Sequence, residues 1–270
     1  MKNVLVLMHD DPGQEARFQV ALDVTRAIDG HLKCVDVAII PRLVTQYDVV
    51  GGSALLLEEE EQAQRANRDT MQARLRHEDV PFDWLNVTGD LAYAIKDAAA
   101  LCDLIVINRK IDTVPFPDMA GLAADLLVWG HLPVLAVPAT ARGLNPHGHA
   151  LVAWDGSPDA EEALRVATPL LTRAAEVTLF HIDDGSIQIP LEEAAAYLSR
   201  HAIHARIEQH QSVPARAGQI ILETVSTRAP DYVVMGSFSR SRSIEAVFGG
   251  ATHSMLSESP VPVLFAHRRH

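Results

Sequence analysis

The sequence predicts an α/β protein built from two tandem doubly wound parallel sheets of five strands each, and three observations lead there. The chain has 270 residues, more than the roughly 100–200 of one ordinary domain. Short runs rich in Val, Ile and Leu alternate with longer helical patterns, as in a parallel sheet covered on both faces. The order of those runs then repeats once along the chain.

In the first copy, strands are expected over residues 4–8, 32–39, 82–87, 104–108 and 134–137. Helical spacing or strong helix formers fill 14–28, 58–75, 91–101 and 121–129 between them, which gives the β-α-β alternation of a doubly wound domain. The second copy offers strands over 151–154, 177–182, 204–210, 232–235 and 261–265. Asp10 aligns with Asp155, and Asp36 with His181, at an offset of 145; Asp103 aligns with Asp231, and Gly89-Asp90 with Ala217-Gly218, at 128. The 17-residue difference (145 minus 128) falls between the second and third strands of the first copy. Residues 40–57, with Pro41, Gly51 and Gly52, carry that extra material. They read as a surface elaboration leading into a helix, with a lid or partner-contact loop as the alternative. The domains expected are 1–140 and 150–270, joined by a linker at 141–149 whose Gly143, Pro146 and Gly148 have linker composition.

Composition narrows the function classes. The chain is 48% hydrophobic and 21% charged, with a formal net charge of -12, so it has the material for real cores and is not a disordered tract. Residues 1–143 hold 13 basic against 21 acidic side chains and the remainder 10 against 14, giving -8 and -4. Neither half is charged to coat nucleic acid or an anionic membrane. No apolar run nears the ~20 residues of a membrane span, and the short apolar start broken by His9-Asp10-Asp11 does not read as a signal peptide. Cys34 and Cys102 read as buried reduced thiols, which suits a cytoplasmic protein. The 13 histidines show no metal-binding spacing such as HExxH, so no metal is expected.

In doubly wound sheets ligands sit beyond the carboxyl ends of the strands. There the second copy carries Asp155-Gly156-Ser157-Pro158 and, after its fourth strand, Gly236-Ser237-Phe238-Ser239-Arg240-Ser241-Arg242, followed by Gly249-Gly250-Ala251 near the start of the last helix. Glycines let backbone approach a ligand, and the N–H groups of a helix start suit phosphate. Arg240 and Arg242 are placed to pair a phosphate or another acidic ligand. Asp155 can alternatively be a turn or cap residue before the helix near Pro158.

These residues resemble the universal stress protein family, whose ATP-binding members carry Gly, two residues, Gly, nine residues, then Gly followed by Ser or Thr. Gly236 and Gly249 match the first and third glycines; Ser239 stands at the second, and Gly250 replaces the hydroxyl residue. The resemblance extends through Val152-Ala153-Trp154-Asp155-Gly156-Ser157 and the closing Pro260-Val261-Pro262-Val263-Leu264. It implies a Rossmann-like fold of the adenine nucleotide alpha hydrolase type. It further implies that Asp155 and Ala153 face the adenosine end, Ile182 and Met235 wall the base, and Gly236 lies by the ribose. Gly249, Gly250 and Ala251 would present N–H groups to the phosphates, while Ser239 would crowd a phosphate or donate to it.

The first copy keeps Asp10 after its first strand but has Asn108-Arg109-Lys110 in place of the glycine pattern, with Gly121 alone remaining. It is expected to be structural or to bind something else. The resemblance implies that the two halves act as a fused dimer whose closing strands meet, and leaves a homodimer open. The function it implies is a non-catalytic stress-response or regulatory module binding ATP, another adenine nucleotide or a related small ligand in the second half. The alternatives are a scaffold with both sites degenerate and a slow ATP hydrolase. No GxxxxGK[ST] loop and no nucleophile-and-base spacing is present, so no catalytic residue is assigned.

Overall fold

The computed structural model describes residues 1–39, 52–111, 119–128, 130–183, 189–211, 216–237 and 250–268, with side chains from residue 58 onward in the helix that opens at Gly52. Its first half runs β1 (Asn3–Leu7), α1 (Gln14–Ala27), β2 (His31–Ile39), α2 (Gly52–Leu75), β3 (Phe82–Gly89), α3 (Leu91–Ala98), β4 (Leu104–Asn108), α4 (Met119–Val128) and β5 (Val134–Val137). The second half repeats the order as β6 (His149–Trp154), α5 (Pro158–Leu171), β7 (Glu176–Asp183), α6 (Leu191–Arg200), β8 (Ala205–Gln211), α7 (Ala217–Arg228), β9 (Tyr232–Gly236), α8 (Gly250–Glu258) and β10 (Val263–Ala266). Helix α2 starts at Gly52, so the end of the expected 40–57 elaboration is helical; residues 40–51 lie outside the described residues.

The strand order is β3-β2-β1-β4-β5-β10-β9-β6-β7-β8. Each half is a parallel doubly wound sheet with its topological reversal beside the first strand, between β1 and β4 and between β6 and β9. The two join edge to edge where β5 pairs antiparallel with β10, Leu264 opposite Leu135. Central strands are apolar, but for Asn108 at the end of β4, because both faces are covered: every residue of β4, β5 and β10 is buried. The outer strands β3 and β8 are mostly exposed. Arg206 and Glu208 on β8 place charge on that edge, which disfavours adding a further strand.

Helices α1 and α5 cover one face. Their buried residues, among them Phe18, Leu22, Leu164 and Leu171, join a core that runs through both halves. Helices α3, α4, α7 and α8 supply the core of the opposite face with Ile95, Leu126, Ile221 and Met255. Helix α5 begins for local reasons: Ser157 accepts from the Ala160 N–H at 3.2 Å, Pro158 opens the first turn, and Asp159 and Glu161 favour the positive end of the helix dipole.

Segment 141–149 bonds to both halves: the His147 and Gly148 carbonyls accept from the Ala175 N–H, and His149 already opens β6. Leu144 is buried and its N–H donates to Asp23 at 2.9 Å; burial in turn raises the Asp23 carboxyl above its ordinary range. Arg173 and Asp29 form a further contact between halves at 3.2 Å. Both cysteines are free thiols, Cys34 buried and Cys102 half-buried. Among the described residues no helix is long and apolar enough to cross a membrane, and no group of three or more His, Cys, Asp or Glu could hold a metal ion.

Sheet pairing corrects one alignment. Val4 pairs with Leu104 and Ala150 with Tyr232, so the first strands are offset by 146 where these fourth-strand partners are offset by 128. The counterpart of Asp155 is therefore His9, and Asp10 is an exposed residue of the following loop. A loop offset had been carried back into the strand. Asp36 does match His181 by register, and so do Asp103 and Asp231: Asp103 accepts from the Asn3 N–H and Asp231 from the His149 N–H, each tying its fourth strand to its first.

Candidate functional site

At the carboxyl ends of β6, β7 and β9 the sheet brings several expected residues together. Ala153 pairs with Met235 on one side and Phe180 on the other, and Ile182 is two residues beyond Phe180, on the same face of the sheet. Ala153, Ile182 and Ala251 are partly buried against the core cluster that contains Met235. Gly250, the first residue of α8, is exposed, and a Cβ added there would meet nothing within 4 Å. The result is a small apolar wall at the strand ends, and Ala251 in the first turn of α8 packs against the same core cluster; a helix start of this kind suits anionic oxygen. Ser239, Arg240, Arg242 and Gly249 lie outside the described residues.

The equivalent wall of the first half is sealed. By sheet register Ala153, Ile182 and Met235 correspond to Leu7, Val37 and Ile107, and all three of these are 0% exposed. In the second half Ala153 and Ile182 are only partly buried and Met235 is 5% exposed. The largest chemical difference is Ala153 against Leu7: a methyl leaves room at the strand end that an isobutyl group fills.

Asp155 is half-buried, and its Oδ1 accepts from the Ser157 N–H at 3.0 Å. That bond makes Asp155 a turn residue ahead of α5 and assigns the cap itself to Ser157. Gly236 likewise has a structural reason. A Cβ there would stand 2.5 Å from the Ala160 nitrogen and 2.6 Å from the Asp159 carbonyl carbon, so the glycine lets the end of β9 lie against the first turn of α5. The tail past β10 closes over the same turn: His267 meets Asp159 at 2.9 Å, and the Arg268 N–H donates to the same carboxylate at 2.9 Å. The Asp159 partnership raises the His267 pKa, so this contact stabilises the fold at low pH and fades as pH rises through the raised value.

Sequence reasoning missed what occupies the corresponding place in the first half. Arg17 of α1 is fully buried and all five of its N–H groups are matched. Nη1 donates to Asp11 Oδ1 at 2.7 Å and Asn108 Oδ1 at 2.6 Å, Nη2 to Asp11 Oδ2 and the His9 carbonyl, and Nε to the Leu7 carbonyl. Asn108 then donates to the Gly13 carbonyl at 3.2 Å. Where the second half has a glycine under a tight helix start, the first has a polar layer that consumes the Asp11 carboxylate and ties the β1–α1 loop to β4. The sequence signal is weak: Arg17 stands between Ala16 and Phe18, but Glu15, Gln19, Asp23 and Arg26 on the same helix make a charged residue there ordinary.

Beside that layer Asp36 is buried and accepts from Asn67 Nδ2 at 3.0 Å. Burial dominates, and its carboxyl is pushed up to about 7. Its folded pKa therefore lies above the unfolded value near 4. The folded protein holds the extra proton between those values, so stability falls as pH rises from about 4 to 7. Asp36→Asn is expected to raise Tm at pH 8, change it little at pH 4 and flatten the intervening slope. An unchanged Tm-against-pH curve by calorimetry would refute this.

A separate groove of ≈ 480 Å³ between α5 and α6, floored by Trp154, Leu164 and Ile189, contains none of the candidate residues.

Residues 147–267 match the model of the universal stress protein family. Over nearly its whole length the chain shares the fold of a universal stress protein from Archaeoglobus fulgidus, at 17% identity, with 98% of this chain and 96% of that one covered and a TM-score of 0.74. A functionally unknown protein from Pseudomonas aeruginosa aligns at 17% identity over 99% of this chain and 92% of its own, with a TM-score of 0.59. At such identities the likeness is one of fold. No curated protein matches the chain.

Proposed function

We propose that this chain, whose residues 147–267 match the universal stress protein family model, is a non-catalytic, cytoplasmic stress-response module taking up one adenine nucleotide, ATP first, in its second half. The observation that supports this best is the contrast between the two strand-end walls. Leu7, Val37 and Ile107 are sealed in the first half, while in the second Ala153 and Ile182 are partly exposed beside Met235, in the cluster against which Ala251 of α8 also packs. An apolar wall suits a purine and a helix start suits its phosphates. Asp155, just past the end of β6, is in this reading the acidic group facing the adenosine end, with Gly236 by the ribose. The 1–140 and 150–270 units divide the labour in this reading, the first closed and supporting, the second ligand-binding, with Arg240, Arg242, Ser239 and Gly249 completing the phosphate end. Two such chains pairing through a further surface is compatible with it.

A pure scaffold is the competing reading, and it gains from one fact: packing alone explains Gly236. Substituting Gly236 therefore cannot separate lost binding from lost fold. Gly250→Asp can, because nothing crowds that position, an acidic side chain at a helix N-terminus is favourable for the helix, and its charge repels phosphate. Titration with ATP is expected to give measurable binding to the wild type and at least about tenfold weaker binding to the variant, as one nearby like charge can impose, at unchanged Tm. Equal affinity of the two proteins, or no uptake by the wild type at millimolar ATP, overturns the reading.

A further inference from the structure

The last turn of α8 carries no basic residue and ends on the acidic Glu258, at the negative end of the helix dipole. The first half supplies the missing cation. Arg109 Nη1 donates to the Ser257 carbonyl and, at 3.4 Å, to the Leu256 carbonyl, two of the last acceptors of the helix. The backbone of Arg109 is fixed by its N–H to the Val137 carbonyl at 2.9 Å, so the guanidinium projects from the β4–β5 edge beside the junction of the halves. The second half shows what this position does otherwise. Ser237 makes the equivalent backbone bond to the Ala266 carbonyl at 3.0 Å, and its hydroxyl stays on that same carbonyl at 3.1 Å. Arginine at the first-half position reaches across; serine at the second-half position does not.

Helix α8 has nine residues, a rod of roughly 13 Å. Arg109 holds one end, and the other carries Gly250 and Ala251, of which Ala251 packs against the core cluster that contains Met235. We propose that Arg109 is a positioning residue for the nucleotide site: the closed first half caps α8 and thereby sets where the N–H groups at Gly250 and Ala251 stand. The inference rests on the nucleotide reading above for its ligand, and on the cap geometry alone for its effect on the helix.

The test uses the full chain with Arg109→Ala and Arg109→Lys, and two readouts. Without ligand, hydrogen exchange of the α8 amides is expected to quicken about ten- to a hundredfold in Arg109→Ala, the size of one lost charge-assisted hydrogen bond. Amides of β6 and α5 should be unchanged, and Arg109→Lys should be intermediate because it keeps the charge but loses the planar fork. With ATP, Kd is expected to rise several-fold in Arg109→Ala, with partial rescue in Arg109→Lys. Unchanged α8 exchange overturns the cap. Faster α8 exchange with unchanged Kd overturns the positioning role. A wild type that binds no ATP overturns the nucleotide reading and the positioning role with it, while the exchange comparison still decides the cap.

Discussion

Arg17→Ala is expected to cost the fold about 3–5 kcal/mol, the range for removing one partner of a buried ion pair. The reason is the carboxylate left behind. The Asp11 side chain is 0% exposed and its partner at 2.5 Å is Arg17 Nη2, so deleting the guanidinium strands a charge and leaves Asn108 and two main-chain carbonyls short of donors. Asp11→Ala should also be costly, and the two losses should not add, because the second substitution removes the charge that the first exposed. Denaturant unfolding of the single and double variants measures the coupling. A loss below about 1 kcal/mol for Arg17→Ala, typical of an exposed pair, would contradict the picture of a polar layer sealing the first half.

Gly236→Val is expected to disturb the second half at its tightest contact. The neighbours of the added Cβ are backbone atoms of Asp159 and Ala160, at 2.5–2.6 Å, and backbone cannot rotate away as the end of a flexible side chain can. Helix α5 would have to lift from β9, at an overpacking cost of about 1–3 kcal/mol or more. Asp159, which holds His267 and the Arg268 N–H, would move with it. The expected outcome is a lower Tm together with lost ATP uptake, and a weakened pH dependence of the His267 contact. Wild-type stability with binding alone abolished would mean that Gly236 serves the ligand and not the helix contact.

The sequence was most legible where one physical cause acts alone. Runs such as Leu104-Ile105-Val106-Ile107 read as strands buried on both faces, the repeat of their order implied the doubling, and the family resemblance implied the meeting of β5 with β10. The Ser157-Pro158 helix start was readable from capping chemistry. Other features depend on two distant segments. The offset of 145 looked sound at Asp10 and Asp155, but the β1–α1 and β6–α5 loops differ in length, and only strand pairing shows that His9 is the true counterpart. Arg17 did not stand out on a helix that also carries Glu15, Asp23 and Arg26, and its partners Asp11 and Asn108 come from a loop and a strand up to 91 residues away. Arg109 looked like part of a lost motif because its acceptors lie 147 and 148 residues on. Gly236 was attributed to a ligand because sequence cannot show a helix backbone already occupying that space.

The most direct test of the central claim is a count: native mass spectrometry of the full chain titrated with ATP, beside Gly250→Asp as the control. One nucleotide per chain is expected for the wild type, with its occupancy lost in Gly250→Asp and retained in Asp36→Asn, which alters only the first half. Two nucleotides per chain would show that the Arg17 layer does not close the first half. None at millimolar ATP would show that the wall formed by Ala153, Ile182 and Met235 is not a nucleotide site.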